Sequence, residues 1–339
     1  MQGDAGERQP CAQLLVATWF AWRGEFTISV TNAATVDVED WHALYHGYLT
    51  GEELPPTEHV VVGTQILLDL FARNGVTGTF FVTGPCAVTF PPLVREIVAA
   101  GHEIACHGWA HRPISTFTPE TFRADLKRAL GALEDVTGAP VQGYRAPFFS
   151  IGPSETWALD IVAELGFQYD SSLSPLRFAA AGRSVVPGLH RLPADGPGTS
   201  LVELPMSTAH WLGKQRNIGG GRWFRLLPCG VILNGFQQLS RLGIVAQTYT
   251  HSYEVLPYRL RLPGPLRGLS VRAKAYLLES AYAINRQQTA TRLAAVLQQC
   301  PRWAPIRAIA AEFLAPAATE GEVVRTPAAM PVQEFVPPG

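Results

Sequence analysis

The sequence has few cysteines, no long apolar run and no excess of basic charge. Its five cysteines are scattered without a C-x-x-C pair, which argues against a disulfide framework or a cysteine-rich zinc site. No apolar run is long enough to span a bilayer, so no integral membrane segment is expected. The 27 basic and 28 acidic residues nearly cancel, so nucleic acid is not a favoured partner.

The two ends of the chain carry no pattern of a folded domain. Residues 11–22 are apolar and follow Arg8, but the basic region is weak and no small-residue cleavage site follows. We therefore predict an irregular N-terminal extension over 1–25 rather than a signal peptide, with a cytoplasmic location as the default expectation. Residues 315–339 are rich in Pro and Ala without periodicity and are predicted to be disordered.

Between these ends, predicted strands and helices alternate, which indicates parallel βαβ units in an α/β fold. Residues 175–200 are predicted to form a long loop or hairpin excursion, and Gly219–Gly221 to lie in a loop, because the triplet lacks the rest of a phosphate-loop motif. The predicted strands span residues 26–38, 77–83, 103–106, 141–145, 167–170, 201–205 and 244–250. The predicted helices span residues 60–74, 91–100, 118–138, 153–166, 223–242 with a break at Pro228, 271–299 and 305–314.

Two histidines follow the predicted strand 103–106. His107 and His111 are four residues apart, a spacing that brings both imidazoles to one face of a helical turn or tight loop. Two neutral imidazoles suit a divalent metal such as zinc, which then needs a carboxylate. The alternative is a pair of surface histidines at helical spacing.

Three carboxylates follow the first predicted strand. Alternation along a strand places Asp37 and Glu39 on the same face, and Asp40 at the loop entrance. The alternative is a solvated acidic turn. Arg145, Asp170 and His251 also lie near the ends of predicted strands. In parallel α/β barrels functional groups gather at the carboxyl ends of strands, so these segments are predicted to share one mouth.

The motifs resemble those of polysaccharide deacetylases, the NodB-like carbohydrate esterase family 4. The matching segments are Thr-Phe-Phe-Val (79–82), His-Glu-Ile-Ala-Cys-His-Gly-Trp-Ala-His (102–111), Tyr-Arg-Ala-Pro-Phe-Phe-Ser (144–150), Asp-Ser-Ser (170–172) and the late His251. The sequence is most similar to the subgroup found with exopolysaccharide and exosortase loci, whose first motif reads D-V-E-D-[WY]. The resemblance implies a distorted, incomplete (β/α) barrel over 26–260 and a C-terminal helical extension over 261–314.

The resemblance also implies a carboxylate–His–His metal site, most often for Zn²⁺, with Co²⁺ or another divalent ion as alternatives. His107 and His111 would be two ligands. Many members have two adjacent aspartates, whereas this chain has Val38 at the second place. The D-x-D/E spacing of another branch fits better, with Asp37 as the base and Glu39 as the third ligand, and with Asp40 as the alternative to Glu39.

The remaining roles follow from the same resemblance. His251 would protonate the leaving amine, Arg145 would orient Asp37, and Asp170 would hold His251 in its useful tautomer. A backbone N–H near the Tyr144 strand would stabilise the oxyanion. The residues expected to contact substrate are Trp109, Tyr144, Pro147 and Phe148.

The implied activity is removal of N-acetyl groups from N-acetylhexosamine units of a polysaccharide or its precursor, with a glycan as the partner. Two alternatives keep the metal hydrolase and change the substrate: an O-acetyl ester, or a small cyclic amide as in allantoinase-like relatives. A third is a catalytically silent glycan-binding protein. The intact set of Asp37, His107, His111, Arg145 and His251 argues against silence, since a binding protein needs no water-activating site. Nothing in the sequence sets the oligomeric state.

Overall fold

The computed structural model describes residues 30–192, 201–264, 266–300 and 302–315. The predicted extension over 1–25 lies outside the described residues, as does the predicted disordered tail after residue 315. In the part of the chain that is described, no helix combines the length and apolar character needed to cross a membrane. Cys86 and Cys106 are buried free thiols, as expected for core cysteines.

An eight-stranded sheet forms the centre of the fold. Its strand order is β10-β1-β2-β3-β4-β5-β7-β6, parallel throughout except for the β6–β7 pair, and β8 and β9 form a separate hairpin. The sheet curls into an open half-barrel, which confirms the predicted incomplete (β/α) barrel. The strands are β1 (Ala33–Val38), β2 (Thr79–Val82), β3 (Glu103–Cys106), β4 (Gly143–Tyr144), β5 (Tyr169–Asp170), β6 (His190–Arg191), β7 (Val202–Glu203), β8 (Thr208–Trp211), β9 (Lys214–Asn217) and β10 (Gln247–His251).

Helices cover the outer face of the sheet, as parallel strands require. Short 3₁₀ turns occupy Ile114–Thr116, Pro147–Phe149, Ser252–Val255 and Arg286–Gln288. The helices are α1 (Trp41–Thr50), α2 (His59–Arg73), α3 (Gly84–Thr89), α4 (Pro91–Ala99), α5 (Pro119–Thr137), α6 (Trp157–Glu164), α7 (Pro175–Ala180), α8 (Arg222–Leu226), α9 (Cys229–Arg241), α10 (Leu269–Ala283), α11 (Thr289–Gln299) and α12 (Ile306–Leu314).

Strand alternation divides the core into two layers. Val36, Val38 and Phe80 point outward and pack under the helices. Asp37 and Phe81 are paired across β1 and β2, and both point into the barrel. The buried carboxylate therefore shares the inner face with apolar side chains, near the strand ends where β1 turns into α1.

Helix α12 closes the barrel at the end opposite to the strand termini that carry the polar motifs. Ile306 packs on the inward-facing apolar side chains, and its N–H donates to Thr79 Oγ1 at 2.8 Å. The N–H of Arg307 donates to Glu103 Oε2 at 3.0 Å. Thr79 and Glu103 are the first residues of β2 and β3, so α12 packs against the start of these strands. The division of the chain at residue 260 stays a prediction.

Several elements differ from the sequence-based expectations. Helix α1 and the β8–β9 hairpin were not predicted, and the excursion over 175–200 contains α7 and β6. The helix predicted over 271–299 is wrong in one respect, because Asn285 adopts a left-handed backbone (φ 50°) that separates α10 from α11. Asparagine tolerates this conformation better than most residues.

Candidate active site

Glu39, His107 and His111 form one buried cluster at the mouth of the barrel. Their potential ligand atoms all lie within 4.8 Å of one another. His107 Nε2 lies 3.4 Å from Glu39 Oε2, and His111 Nε2 contacts the same oxygen. Glu39 follows β1 and His107 follows β3, so the ends of parallel strands bring the carboxylate and the first imidazole together.

The loop that carries His111 is fixed from outside the predicted motif. His111 has a positive φ of 47°, which is uncommon for a non-glycine residue and frequent at functional sites. Asp125, on α5, accepts hydrogen bonds from the Trp109 and Ala110 N–H groups at 2.8 and 2.9 Å. Sequence reasoning missed Asp125, because an aspartate in the middle of an amphipathic helix resembles any solvated position.

The cluster fits a divalent metal ion. The Nδ1 of His107 lies 2.8 Å from the Arg145 carbonyl oxygen, which accepts a hydrogen bond from Nδ1–H. Nε2 therefore carries no proton and is free to act as a ligand. Glu39 Oε2 is buried and faces only the Nε2 atoms of His107 and His111, and His111 Nδ1 is buried without a hydrogen-bond partner. One carboxylate and two imidazoles are the donors that zinc commonly takes in hydrolytic sites. No second group of this kind occurs in the residues that the structure describes.

Charge also favours the ionised form of Glu39. Burial raises the pKa of this carboxyl group, but the neighbouring His111 and His107 outweigh burial and hold the pKa well below its usual value. Glu39 is therefore an anion under ordinary conditions, as a metal ligand must be.

Asp40, the alternative to Glu39, is engaged elsewhere. Its Oδ1 accepts the N–H of Ala43 at 2.7 Å and caps α1. Its Oδ2 accepts from the N–H and the hydroxyl of Thr57 at 3.1 and 2.5 Å. Both carboxylate oxygens of Asp40 are thus turned away from the histidine pair, whereas the carboxylate of Glu39 lies against it. An aspartate before an apolar run is a helix-cap signal that the sequence already carried.

Asp37 and Arg145 form a fully buried ion pair beside the cluster. Arg145 Nη1 donates to Asp37 Oδ1 at 2.7 Å and to Thr35 Oγ1 at 2.8 Å. Its Nη2 donates to Ser171 Oγ at 3.1 Å and to Gln247 Oε1 at 2.5 Å. The guanidinium therefore holds one oxygen of Asp37 and leaves Oδ2 directed toward the mouth, as the expected orienting role requires.

His251 completes the group from the end of β10. Its Nε2 lies 3.8 Å from Asp37 Oδ2 and 3.7 Å from Glu39 Oε1. Burial alone lowers the pKa of His251, but the carboxylates of Glu254, Glu39 and Asp37 outweigh burial and raise that pKa to about 9. The side chain is 20% exposed, so the imidazole is reachable from the mouth.

Asp170 does not occupy the expected place beside His251. Its carboxylate accepts from the hydroxyl and the N–H of Ser172 at 2.6 and 3.0 Å. It is also paired across the strands with Glu203, where burial raises the pKa of both carboxyl groups. The partner of His251 Nδ1 is Glu254 Oε2, at 3.0 Å. Three-residue spacing on one tight turn was the signal for Glu254, which we did not assign to the site from the sequence.

The residues expected to contact substrate divide into two groups. Phe148 is 45% exposed, has a positive φ of 59° and places its ring 4.9 Å from that of His111. Trp109 is half-buried, with the Arg128 guanidinium 3.6 Å from its ring. Pro147 is buried at the start of the 3₁₀ turn that carries Phe148, and Tyr144 packs in the outer core against Phe122. The expectation for the Tyr144 side chain is therefore wrong, because strand alternation turns it away from the mouth.

Comparison with known proteins finds deacetylases among the similar sequences. The polysaccharide deacetylase family model matches residues 48–169, and a domain of unknown function (DUF3473) matches residues 171–311. A peptidoglycan deacetylase of Helicobacter pylori is 31% identical over 112 residues, 33% of this chain and 37% of that protein. A chitooligosaccharide deacetylase of Sinorhizobium fredii is 34% identical over 102 residues, 30% of this chain and 46% of that protein. The matches thus cover less than half the length of these relatives.

The fold comparison covers more of the chain. The crystal structure of a putative polysaccharide deacetylase from Mycobacterium smegmatis superposes with a TM-score of 0.56 at 24% identity, over 88% of this chain and 98% of that one. Residues 48–169 thus match the polysaccharide deacetylase family, as the motifs predicted, and the fold over most of the chain is that of the solved structure. The chain's membership of the exopolysaccharide-locus subgroup stays a prediction.

Proposed function

We propose that the protein is a metal-dependent hydrolase that removes N-acetyl groups from N-acetylhexosamine units of a polysaccharide or its precursor. The observation that carries the proposal is the convergence of three functional groups at one mouth: the Glu39–His107–His111 cluster, the Asp37–Arg145 pair and His251. A glycan-binding protein does not need an ionised carboxylate that contacts two imidazoles beside a second buried carboxylate.

Glu39, His107 and His111 would hold the metal ion, Zn²⁺ or Co²⁺. When bound, the ion supplies Lewis-acid polarisation of the amide carbonyl and lowers the pKa of a water molecule beside it. His107 is held in the required tautomer by the Arg145 carbonyl, and Glu39 is ionised. The three residues therefore provide two imidazole nitrogen donors and one anionic oxygen donor.

Asp37 would act as the general base. Its Oδ1 is held by Arg145, and its Oδ2 faces the mouth, where it accepts a proton from the attacking water. The arginine restricts the rotation of the carboxylate through this hydrogen bond. Asp37 Oδ2 thus stays directed toward the mouth.

His251 would donate a proton to the leaving amine. It lies on the opposite side of the mouth from the loop of His111, and its raised pKa keeps it protonated before the amine departs. A backbone N–H near the end of β4 would stabilise the developing oxyanion, in the segment where Phe148 takes a strained backbone conformation. Phe148 and Trp109 would offer ring faces to the sugar.

The substrate class follows from the relatives' names and from the aromatic rim. The Helicobacter relative is named for peptidoglycan and the Sinorhizobium relative for chitooligosaccharide, both of which carry N-acetylated sugars. We extend this to an exopolysaccharide or its precursor on the strength of the first motif, Asp37-Val38-Glu39-Asp40-Trp41.

Acetate release tests the proposal. Metal-reconstituted protein is expected to release acetate from chitooligosaccharides or peptidoglycan fragments, and less from O-acetylated xylan. His107→Ala and Asp37→Asn are expected to abolish release, whereas His210→Ala, at an exposed histidine on β8, is the matched control. Full activity in His107→Ala would contradict the metal mechanism, and release only from the ester would favour the O-acetyl esterase.

A further inference from the structure

Glu254 makes three contacts at the turn after β10 that the deacetylation mechanism above does not use. Its Oε2 accepts both the backbone N–H and the ring Nδ1–H of His251, at 3.2 and 3.0 Å. Its Oε1 lies 3.5 Å from Nε of Arg225. The Glu254 side chain is 1% exposed. Its buried carboxylate therefore contacts one imidazole on one side and one guanidinium on the other.

Arg225 ties this carboxylate to the C-terminal helices. It lies on α8, its Nη1 donates to the Ala281 carbonyl on α10 at 2.9 Å, and its guanidinium lies 4.8 Å from the Tyr282 ring centroid. Asn285 Nδ2 donates back to the Arg225 carbonyl at 3.1 Å. The arginine is therefore held at both its backbone and its side chain by the segment 281–285.

The same C-terminal segment supports the ring of His251 through aromatic contacts. Tyr253 stacks on His251 with a centroid distance of 4.9 Å and an interplanar angle of 14°. Tyr282 meets Tyr253 edge-on at 5.6 Å, and Arg286 Nη1 donates to the Tyr253 carbonyl at 3.2 Å. Two routes, one ionic and one aromatic, thus run from the C-terminal helices to the imidazole.

We propose that Glu254, held by Arg225, is the positioning residue that orients His251, and that the helical region 269–286 serves the active site through this network. The proposal rests on the proposed function for the role of His251, and it assigns a task to the part of the chain that matches a domain of unknown function. A carboxylate on Nδ1 keeps the proton on that nitrogen and points Nε2 into the mouth, toward Asp37 and Glu39.

Alternative partners for the ring are engaged elsewhere. Asp170 is bonded to Ser172, and Asp37 is held by Arg145. Glu254 is also three residues from His251 on a 3₁₀ turn, so its carboxylate returns to the residue that begins the turn. The geometry is local and does not depend on how the substrate enters.

The first test separates positioning from substrate binding. Glu254→Gln keeps the size of the side chain and loses its charge, and it is expected to lower kcat by about 10–100-fold with KM and metal affinity unchanged, the usual cost of removing such a partner. Arg225→Met is expected to lower kcat in the same direction, and Arg225→Lys to recover part of it. Tyr276→Phe changes an exposed tyrosine on the same helix α10 that takes no part in this network, so it is the matched control. Unchanged kcat in Glu254→Gln would overturn the proposal.

The second test does not depend on activity. In ¹⁵N-histidine-labelled protein, the Nδ1–H signal of His251, identified by its loss in His251→Asn, is expected to be downfield and protected from exchange. It should move upfield or disappear in Glu254→Gln, and stay in place in Tyr276→Phe. A signal unaffected by Glu254→Gln would refute the positioning role. If the wild-type protein releases no acetate from any substrate, the proposed function fails, and the spectrum alone decides whether Glu254 orients the ring.

Discussion

Replacing Arg145 by lysine is expected to reduce both stability and activity although the charge is kept. The guanidinium is fully buried and donates five hydrogen bonds, to Thr35, Asp37, Gln247 and twice to Ser171. A lysine ammonium has three donors that radiate from one atom. At least two of the five acceptors therefore lose their partner.

The expected size of the effect follows from those lost partners. A buried acceptor left unsatisfied costs about 1–3 kcal/mol, so two of them lower the free energy of unfolding by roughly 2–6 kcal/mol. Lysine also loses the planar contact with Phe81, whose ring centroid lies 3.9 Å from the Arg145 Cζ. Because Asp37 is then held by a mobile point charge, kcat is expected to fall while metal affinity stays within about twofold.

Urea unfolding of the metal-free protein, followed by circular dichroism, measures the stability change. Arg145→Met is the second variant, and it leaves the Asp37 carboxylate buried and uncompensated, at a cost of about 3–5 kcal/mol. Asp37→Asn combined with Arg145→Met is expected to recover part of that loss, since the uncompensated charge is gone. A wild-type unfolding midpoint for Arg145→Lys, or strict additivity in the double variant, would refute this reading of the pair.

Three further predictions concern Glu203, Asp40 and Gly63. Burial and the nearby Asp170 raise the pKa of Glu203 well above its usual value, so the folded state holds a proton that the unfolded state releases above about pH 4.3. Stability therefore falls as the pH rises from that value toward the raised pKa, by at most about 1.4 kcal/mol per pH unit. Glu203→Gln should make the urea unfolding midpoint vary less with pH between about pH 5 and pH 8. An unchanged dependence of the midpoint on pH would count against this prediction. Asp40→Ala removes the cap of α1 and should cost about 1–2 kcal/mol without weakening Co²⁺ binding, whereas loss of Co²⁺ would restore Asp40 as a ligand. A Cβ on Gly63 would lie 2.0 Å from the Ser252 carbonyl oxygen, so Gly63→Ala should displace the turn after His251 and lower kcat. Gly131→Ala is the control, because a Cβ at Gly131 would lie in open space. Equal activity of the two variants would be contrary to expectation.

The site residues that could be predicted from the sequence were those that follow parallel strands. Asp37 and Glu39, His107 and His251 each stand at a strand end, where the fold alone dictates proximity. Strand alternation was also sufficient to place Asp37 and Glu39 inside the barrel. It would equally have excluded the Tyr144 side chain, which lies on the opposite face from Arg145.

The positions that the sequence did not reveal depend on contacts between distant segments. Asp125 fixes the His111 loop from α5, and Arg225 reaches Glu254 from α8, with no periodic or local signal for either contact. Glu254 is an exception, because its three-residue spacing from His251 was a local signal, whereas only the packed structure shows that Asp170 bonds to Ser172. The hairpin β8–β9 was missed because its charged strand Lys214–Asn217 has little β-propensity.

Anomalous diffraction at the zinc edge from crystals grown with Zn²⁺ tests the central claim most directly. A single strong peak is predicted among Glu39 Oε2, His107 Nε2 and His111 Nε2, on the side of the mouth that Asp37 Oδ2 and His251 Nε2 face. A peak beside Asp40 instead, or no peak at the histidine pair in zinc-saturated crystals, would contradict the account.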